Sequence, residues 1–264
     1  MKRLDGEIAI VTGAATGIGK GIAKLFLQEG ASVLLVDIAK DQLEATRFEL
    51  TSLIDTAKVH IFDVDLRKTG VTKEIVERAV SEFGQIDILV NCAGIYPSTT
   101  ALKITEEEWD SVYDLNVKST FFLSQEIANH MIQKGVNGRI INISSTASEV
   151  ARPGVAHYCS SKAAVKMMTQ VLALEWAKYG IRINALGPGL VETENLLESL
   201  VTETAKSEHQ EKITNIPLQR SALIEEIAEG VLYFASNQSN YVTGQTLLVD
   251  GGYSAGRVLK TKLD

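Results

Sequence analysis

Short runs of β-branched and aliphatic residues alternate along the chain with longer segments in which apolar residues recur every three or four positions. The short runs predict seven strands, over residues 7–12, 32–38, 58–64, 87–91, 139–144, 181–186 and 246–250. The longer segments predict helices over residues 18–29, 40–53, 72–83, 106–133, 156–179 and 225–236. Strands that alternate with helices in this way favour a parallel sheet covered by helices on both faces. The pattern therefore predicts a single doubly wound α/β domain over residues 1–264.

Two segments depart from this alternation. Residues 187–223 separate a predicted strand from the next predicted helix, and loops of that length in compact domains are usually lids or binding loops. We therefore expect the 187–223 segment to cover the substrate. Residues 253–264 have mixed charge and no periodicity, which favours a flexible tail over a functional arm.

Composition and charge narrow the classes of partner. The 264 residues are 45% hydrophobic and carry a formal net charge of −7. Nucleic acids and anionic membranes are bound through clustered Lys and Arg, so we expect neither as a partner, and a small, weakly charged substrate fits better. No apolar stretch has the length of a signal or spanning segment, and the two cysteines and four histidines lack metal-ligand spacing. These features predict a cytoplasmic protein with reduced thiols and no metal.

A glycine-rich turn follows the first predicted strand. Residues 12–19 read T-G-A-A-T-G-I-G and lead into an amphipathic helix. Glycines at such a turn let the backbone approach a pyrophosphate, which binds the free N–H groups at the start of the helix. An ordinary strand-to-helix turn is the alternative. The context favours a Rossmann-type dinucleotide site, and its predicted members are Gly13, Thr16, Gly17, Ile18 and Gly19.

An acidic residue ends the second predicted strand. Asp37 follows Gly19 by 18 residues, where dinucleotide-binding folds place a carboxylate against the adenosine ribose. Such a carboxylate accepts hydrogen bonds from both ribose hydroxyls and repels a 2′-phosphate. Asp37 therefore predicts NAD as the cofactor in preference to NADP, although Lys40 nearby leaves room for a phosphate.

Further motifs resemble those of the short-chain dehydrogenase/reductase family, and the resemblance covers almost the entire chain. The family's T-G-x-x-x-G-x-G motif matches residues 12–19, and its N-N-A-G element matches residues 91–94, with Cys92 as a departure at the second position. By this resemblance, the predicted contacts of the adenine and nicotinamide ends of the cofactor also include Asp63, Val64, Asn91, Ala93, Gly94, Tyr158, Lys162, Pro188, Gly189, Val191 and Thr193.

The catalytic tetrad of the same family is matched by Asn116, Ser145, Tyr158 and Lys162. Tyr158 and Lys162 are four residues apart, which puts them on one helix face, and Ser145 precedes Tyr158 by thirteen residues. The resemblance implies that Ser145 binds the substrate oxygen and that Lys162 also holds the nicotinamide ribose. It implies that Asn116 anchors a water in a proton relay.

Hydride transfer explains why a tyrosine and a lysine are needed together. The reaction leaves a proton to be moved, and the unperturbed tyrosine pKa of about 10 is too high for a base near neutrality. The charge of Lys162 is expected to lower the pKa of Tyr158. A surface Tyr/Lys pair is the alternative for these two residues alone. Ser144 competes with Ser145 for the serine role, and the spacing favours Ser145.

The predicted function is hydride transfer between NAD(H) and a secondary alcohol or ketone, such as a polyol, a sugar or a similar small molecule. The candidate substrate contacts are Tyr96, Ala147, Arg152, His157 and Glu194. Packing beside Tyr158 is the alternative for His157, and an exposed loop position is the alternative for Arg152. Two other functions stay open: an NADPH-dependent 3-oxoacyl-(carrier protein) reductase, and a non-catalytic NAD-binding scaffold. The resemblance also implies a homotetramer.

Overall fold

Seven parallel strands form one sheet in the computed structural model, which describes residues 2–54 and 58–256. They are β1 (Ile8–Thr12), β2 (Ser32–Asp37), β3 (Val59–Asp63), β4 (Ile88–Asn91), β5 (Arg139–Ile143), β6 (Arg182–Pro188) and β7 (Thr246–Val249). Their order across the sheet is β3-β2-β1-β4-β5-β6-β7, and every neighbouring pair is parallel. The predicted doubly wound fold is confirmed.

Helices cover both faces of this sheet. They are α1 (Gly17–Gln28), α2 (Lys40–Leu53), α3 (Val71–Phe83), α4 (Glu106–Tyr113), α5 (Thr120–Lys134), α6 (Ala156–Trp176), α7 (Glu194–Ser199), α8 (Glu203–Thr214) and α9 (Ile224–Ala235). One core contains Phe26 of α1 and Leu35 of β2, and the core on the opposite face contains Ile75 of α3 and Leu34 of β2. Because neighbouring strand residues point to opposite faces, both must be apolar in a sheet covered on both sides. No helix within residues 2–54 and 58–256 has the length and apolar character that crossing a bilayer requires.

The connections between strands change direction at β1, which pairs with β2 on one side and with β4 on the other. Chain segments leave the sheet in opposite directions there, so a crevice opens beyond the carboxyl ends of these strands. Thr12 and Asn91 end β1 and β4, and the glycine turn begins directly after Thr12. The topology therefore places the predicted cofactor residues at the edge where open α/β sheets bind their ligands.

The helix predicted over residues 106–133 contains a change of helix type. Helix α4 ends at Tyr113, a π-helical segment spans Asp114–Ser119, and α5 begins at Thr120. A π-turn accommodates an extra residue, and such turns occur frequently at functional sites. Asn116 lies within the segment and is buried. A periodicity of apolar residues cannot reveal this local change, so the prediction of one uninterrupted helix was wrong.

The segment predicted as a long loop over residues 187–223 has its own secondary structure. Strand β6 continues through Pro188, and α7 and α8 follow it. Their first turns are capped by Thr193 and Thr202, whose hydroxyls accept hydrogen bonds from backbone N–H groups. A parallel bridge between Val191 and Ala222 joins the two ends of the 187–223 segment. The sequence analysis therefore located the 187–223 segment correctly but missed the helices within it.

The chain after β7 is ordered for several residues in a compact turn. The carboxylate of Asp250 accepts hydrogen bonds from the backbone N–H groups of Gly252 and Ser254, each at 2.9 Å. Tyr253, predicted as the first residue of a flexible tail, is therefore held in place. The remainder of that predicted tail, residues 257–264, lies outside the described residues.

Candidate active site

A cavity of about 550 Å³ opens at the carboxyl edge of the sheet. Its wall combines the glycine turn after β1, the residues that follow β4, β5 and β6, the first turns of α6, and parts of α7 and α8. The predicted residues that line it are Gly13, Thr16, Gly17, Ile18, Gly19, Asp37, Ala93, Gly94, Tyr96, Ser145, Arg152, Tyr158, Lys162, Pro188, Gly189, Val191 and Thr193. The structure thus brings most of the predicted cofactor and catalytic residues to one place.

The glycine turn is packed too closely to accept side chains. Gly13 has a φ of +64°, and a Cβ atom there would lie 2.8 Å from the Cα atom of Ala93. A Cβ atom on Gly19 would lie 2.1 Å from the carbonyl oxygen of Gly13. Thr16, the N-cap residue of α1, makes no side-chain capping bond with the described residues. The first turn of α1 therefore keeps N–H groups that can bind an anion such as a pyrophosphate.

The carboxylate of Asp37 is oriented by the main chain at the end of β2. Its Oδ2 accepts a hydrogen bond from Ala15 N–H and its Oδ1 accepts one from Ala39 N–H, each with an N···O distance of 3.0 Å. Asp37 is also the only acidic residue among the described residues that line the large cavity. An oriented carboxylate of this kind suits ribose hydroxyls and opposes a phosphate.

A second cavity of about 190 Å³ shares Gly13 and Asp37 with the first. Val64, predicted to contact adenine, lines it, but the neighbouring Asp63 does not. The Asp63 side chain is 46% exposed, and a carboxylate oxygen lies 3.9 Å from Lys40 Nζ. Neighbouring residues of an extended chain point to opposite sides, so only one of the pair faces the cavity. Val64 therefore lines the cavity as predicted, and the contact of the Asp63 side chain with adenine stays a prediction.

Asn91, another predicted cofactor residue, turns its side chain into the protein. Its amide nitrogen donates hydrogen bonds to Ser124 Oγ at 2.9 Å and to Asn142 Oδ1 at 2.8 Å. A buried amide requires such partners, and they hold it away from the cavity. The turn that follows is held instead by Thr12, whose Oγ1 accepts hydrogen bonds from the N–H groups of Cys92 and Ala93. Asn91 and Thr12 therefore support the cofactor wall from behind.

Ser145, Tyr158 and Lys162 come together at the large cavity, as their spacing predicted. The Ser145 and Tyr158 side chains both line the cavity, and the Ser145 hydroxyl is close enough to Tyr158 to lower the pKa of the phenol. Lys162 Nζ lies 5.8 Å from the centroid of the Tyr158 ring and donates a hydrogen bond to the Ile143 carbonyl at 2.8 Å. The competing serine, Ser144, donates its hydroxyl to the Lys162 carbonyl. Ser145 is therefore the serine that contacts the tyrosine.

Burial dominates the ionisation of the groups at this site. It raises the pKa of Tyr158 above its ordinary value, while the hydrogen bond with Ser145 and the charge of Arg152 lower it. Burial also lowers the pKa of Lys162 to about 8 and raises that of Cys92 to about 12. The sequence analysis expected Lys162 to lower the pKa of Tyr158. In the structure, Ser145 and Arg152 are the neighbours that do so, and burial disfavours the charged form of Lys162 itself.

Asn116 lies behind the cavity, in the π-helical segment. Its Oδ1 accepts a hydrogen bond from Ile95 N–H at 2.9 Å, and its Nδ2 donates to the Ile95 carbonyl and to Ser161 Oγ. A Cβ atom added to Gly94 would lie 3.1 Å from Asn116 Oδ1 and 3.6 Å from Lys162 Nζ. Asn116 therefore ties the turn after β4 to α6, close to the ammonium group of Lys162.

Comparisons with known proteins identify the family of the chain. The family model described as enoyl-(acyl carrier protein) reductase matches residues 13–254. A 3-oxoacyl-[acyl-carrier-protein] reductase of Thermotoga maritima is 38% identical, and the match covers 95% of this chain and 98% of that protein. A 2-dehydro-3-deoxy-D-gluconate 5-dehydrogenase of Escherichia coli is also 38% identical, with 96% and 97% covered. A solved short-chain type dehydrogenase/reductase from Mycobacterium marinum superposes with a TM-score of 0.88 at 33% identity, covering 96% of this chain and 97% of that one.

The chain belongs to the short-chain dehydrogenase/reductase family. It is accordingly an oxidoreductase that transfers a hydride between a nicotinamide cofactor and a secondary alcohol or its ketone. The glycine turn, which has no room for side chains at Gly13 or Gly19, fits such a dinucleotide.

Three of the predicted substrate contacts do not line the cavity of this short-chain dehydrogenase/reductase. His157 is fully buried, with Nε2 2.8 Å from Glu108 Oε1, and its Nδ1 accepts a hydrogen bond from Tyr158 N–H. Ala147 is a buried residue of the helical turn Thr146–Ser148 that follows Ser145. Glu194 is exposed at the start of α7. His157 therefore anchors the start of α6, and its predicted contact with substrate is corrected, whereas the contacts of Ala147 and Glu194 stay predictions.

The sequence analysis missed several residues of the cavity wall. Those on the side formed by α8, the residues after it and the turn after β7 are Lys212, Asn215, Ile216 and Tyr253. Helix α8 has no buried residue, so it lacks the apolar stripe that reveals an amphipathic helix. The capping signal was present, because Thr193 and Thr202 each precede a glutamate at the start of a helix. That signal could have located both α7 and α8 in the 187–223 segment.

Proposed function

We propose that this enzyme is an NAD-dependent dehydrogenase that oxidises a secondary alcohol of a polyol, sugar or similar small molecule. The observation that supports this most is the meeting of Ser145, Tyr158 and Lys162 in a cavity whose wall also contains the glycine turn. A proton-transfer group beside a dinucleotide cradle suits hydride chemistry. The relative from E. coli is named for 2-dehydro-3-deoxy-D-gluconate, a sugar derivative.

Each end of the cofactor has residues that would hold it. The first turn of α1 would bind the pyrophosphate, Asp37 the adenosine ribose and Val64 the adenine. The nicotinamide end would lie against Lys162 and the residues after β6, which are Pro188, Gly189, Val191 and Thr193. When bound, the nicotinamide supplies the hydride acceptor for oxidation and the hydride donor for reduction.

The residues of the chain move the proton. In the oxidation direction, the Tyr158 phenolate accepts the proton of the substrate hydroxyl, while the Ser145 hydroxyl donates a hydrogen bond to the same oxygen. The Ser145 hydroxyl and the charge of Arg152 favour the phenolate, against the burial that raises the pKa of Tyr158. Asn116 is a positioning residue for Lys162, and its part in a proton relay remains a prediction. Oxidation should therefore become faster as the pH rises towards the pKa of Tyr158.

Asp37 supports NAD as the cofactor. Its two oxygens already accept one main-chain hydrogen bond each, which orients the carboxylate and leaves further lone pairs for ribose hydroxyls. A 2′-phosphate placed near the carboxylate of Asp37 would meet like charge. Lys40, the cation that could offset this repulsion, lies near Asp63 instead, with an N···O distance of 3.9 Å.

Reduction of a carrier-bound 3-oxoacyl group is the second candidate. It is favoured by the T. maritima relative, which is named for that reaction. The net charge of −7 opposes it, because an acidic enzyme is a poor electrostatic match for an acidic carrier protein. Asp37 opposes the NADPH that this alternative would use.

The surface supports an assembly, which we infer to be a homotetramer in the cytoplasm. Met167, Val171 and Leu174 form an exposed apolar stripe along α6, and Phe122 is exposed on α5. Contiguous exposed apolar side chains of this kind mark interaction surfaces. The two cysteines, Cys92 and Cys159, are both free thiols, which suits a reducing compartment.

The proposed function is tested by steady-state kinetics with a panel of polyols, sugars, sugar acids and an acetoacetyl thioester, each with NAD(H) and NADP(H). We expect NAD reduction with at least one polyhydroxylated substrate. Predominant NADPH-linked reduction of the thioester would favour the second candidate. Binding of NADH without turnover of any substrate would contradict both.

Tyr158→Phe separates the proton chemistry from cofactor binding. The variant keeps the ring and loses only the hydroxyl, so kcat should fall by about three orders of magnitude, while the Kd for NAD stays within a few fold. Titration of NAD against protein fluorescence provides the control. A kcat similar to that of the wild type would remove Tyr158 from the mechanism.

A further inference from the structure

Arg152 is unusual among the arginines that the structure describes. Seven of these eight form ion pairs or hydrogen bonds with protein groups, and they are Arg3, Arg47, Arg67, Arg78, Arg139, Arg182 and Arg220. Arg152 is half-buried at the cavity wall, and it forms neither kind of contact with any described residue. A guanidinium carries five N–H donors, which in this half-buried position can be satisfied by water or by a ligand in the cavity. The partner of Arg152 is therefore to be sought in the cavity.

An aromatic side chain holds the guanidinium near the reacting group. Arg152 Cζ lies 5.6 Å from the centroid of the Tyr96 ring, a distance typical of a cation–π contact. The Tyr96 ring in turn lies 4.6 Å from the Tyr158 ring, centroid to centroid. The charge of Arg152 reaches Tyr158, since it lowers the pKa of that phenol. Arg152, Tyr96 and Tyr158 are therefore successive neighbours along the wall of one cavity.

The charges along the cavity wall differ from those of the whole chain. The protein has a formal net charge of −7, yet the cationic residues Arg152, Lys162 and Lys212 all line the cavity. Asp37 is the one acidic residue among the described lining residues, and it lies at the end of β2, where the cofactor ribose is expected. Lys212, in the last turn of α8, faces the same space without an ion pair to any described residue. The substrate region is therefore cationic.

We propose that Arg152 binds a carboxylate of the substrate, so that the enzyme acts on a hydroxy acid or the corresponding oxo acid. The inference rests on the proposed function and gives its substrate a chemical class. The planar guanidinium can donate two parallel hydrogen bonds to a carboxylate, and Lys212 adds a second positive charge from α8. The reacting hydroxyl then lies at Tyr158, and the carboxylate lies at the far end of the molecule.

Matched pairs of substrates test this assignment. NAD reduction is measured with D-gluconate against D-glucitol, with 3-hydroxybutyrate against butan-2-ol, and with glycerol 3-phosphate against glycerol. We expect kcat/KM for an acid to exceed that for its neutral partner by about tenfold or more, the effect of a charge-assisted hydrogen bond. Equal values within the carboxylate pairs would overturn the proposal. A preference confined to glycerol 3-phosphate would overturn it in favour of a phosphate ester.

Variants test whether Arg152 is the residue that causes a preference for acidic substrates. Arg152→Gln should lower the acid-to-neutral ratio of kcat/KM by about tenfold or more, mainly through KM, and Arg152→Lys should recover part of it. Lys212→Gln should lower the ratio by a smaller factor. Arg78→Gln, an exposed arginine on α3 that pairs with Glu82, is the matched control and should leave the ratio unchanged. An unchanged ratio in Arg152→Gln would remove this residue from anion binding.

A binding measurement separates this inference from the proposed function. Butyrate and butyramide are titrated into the enzyme saturated with NADH, and heats of binding are recorded. Butyrate should bind at least tenfold more tightly than butyramide, and Arg152→Gln should abolish the difference. Absence of turnover with every substrate would contradict the proposed function alone, because the butyrate titration still decides whether Arg152 binds a carboxylate. Equal binding of the two ligands would contradict the inference.

Discussion

The cofactor side and the substrate side of the cavity are built from different materials. On the cofactor side, backbone packs against backbone around Gly13 and Gly19, and main-chain N–H groups orient Asp37. On the substrate side, the wall consists of side chains from surface elements, including Arg152 in a loop and Lys212 on a helix without buried residues. The cofactor side is therefore part of the folded core, whereas the substrate side is formed by surface elements that pack outside that core.

This difference separates stability from selectivity. Residues that support the cofactor also support the fold, so a change there should reduce both cofactor binding and stability. Residues of the substrate side are held by few buried contacts and can change at little cost to the fold. The comparison therefore predicts which substitutions damage the whole enzyme and which ones alter only its choice of substrate.

The largest effect should come from Gly19→Ala on the cofactor side. Its Cβ atom would lie 2.1 Å from the Gly13 carbonyl oxygen, so the turn must shift. We expect the Kd for NAD to rise by about a hundredfold or more and the free energy of unfolding to fall by about 2–4 kcal/mol. Fluorescence titration and urea denaturation measure the two quantities.

Gly70→Ala is the matched control for this substitution. Gly70 has a φ of +84°, and no atom lies within 4 Å of its added Cβ, so only backbone strain of about 1–2 kcal/mol should appear. NAD affinity should not change in the control. If Gly19→Ala bound NAD as well as Gly70→Ala does, the cofactor side would not be held by backbone packing.

Lys162→Met tests the residue that lies between the cofactor side and the substrate side of the cavity. We expect kcat to fall by about two to four orders of magnitude, because the proton chemistry loses its cation. Burial lowers the pKa of Lys162 to about 8, so the charged form is costly at pH 7. Without cofactor, the variant should therefore be more stable than the wild type by about 1–3 kcal/mol at pH 7.

The pH dependence of that difference provides the check. Between the folded pKa of about 8 and the ordinary lysine pKa of 10.5, the unfolded chain binds more protons than the folded chain does. The stability of the wild type should accordingly gain on that of Lys162→Met as the pH rises through this window, and the gap should narrow. Urea denaturation from pH 7 to pH 10 measures it. A gap that widened with pH would show that burial does not disfavour the charged lysine.

The smallest effect should come from Leu196→Ala on the substrate side. Leu196 of α7 lines the cavity, so its truncation should change KM for substrate by about three- to tenfold. NAD affinity and the melting temperature should stay close to those of the wild type. Leu197→Ala, the adjacent residue, is 56% exposed and does not line the cavity, so it should change neither. A loss of NAD affinity in Leu196→Ala would erase the distinction between the two sides.

The sheet and the cofactor side could be predicted from the sequence because their signals are local. The seven strands are recognisable in the sequence as apolar runs. Four residues at motif positions line the observed cavity, and they are Gly13, Asp37, Tyr158 and Lys162. Those residues are constrained by the backbone around them. Their spacing along the chain is therefore enough to predict most of their positions around the cavity.

The remaining parts depend on three-dimensional contacts that spacing does not encode. Asn91 and His157 match or adjoin the motifs, yet buried hydrogen bonds turn both away from the cavity. The π-helical segment around Asn116 and the helices α7 and α8 have no distinctive apolar period. That Arg152 has no ion pair with any residue of 2–54 and 58–256 depends on where the acidic side chains lie in three dimensions.

The half-buried thiol of Cys92 has a consequence for how the enzyme reacts with oxidants. Cys92 stands in the cofactor wall, and burial raises its pKa to about 12. Only the thiolate reacts readily with peroxides, disulfides or alkylating reagents, and almost none is present at neutral pH. The departure from the family's second asparagine therefore adds a sulfur atom to the cavity wall, and this thiol is expected to react slowly with oxidants at neutral pH.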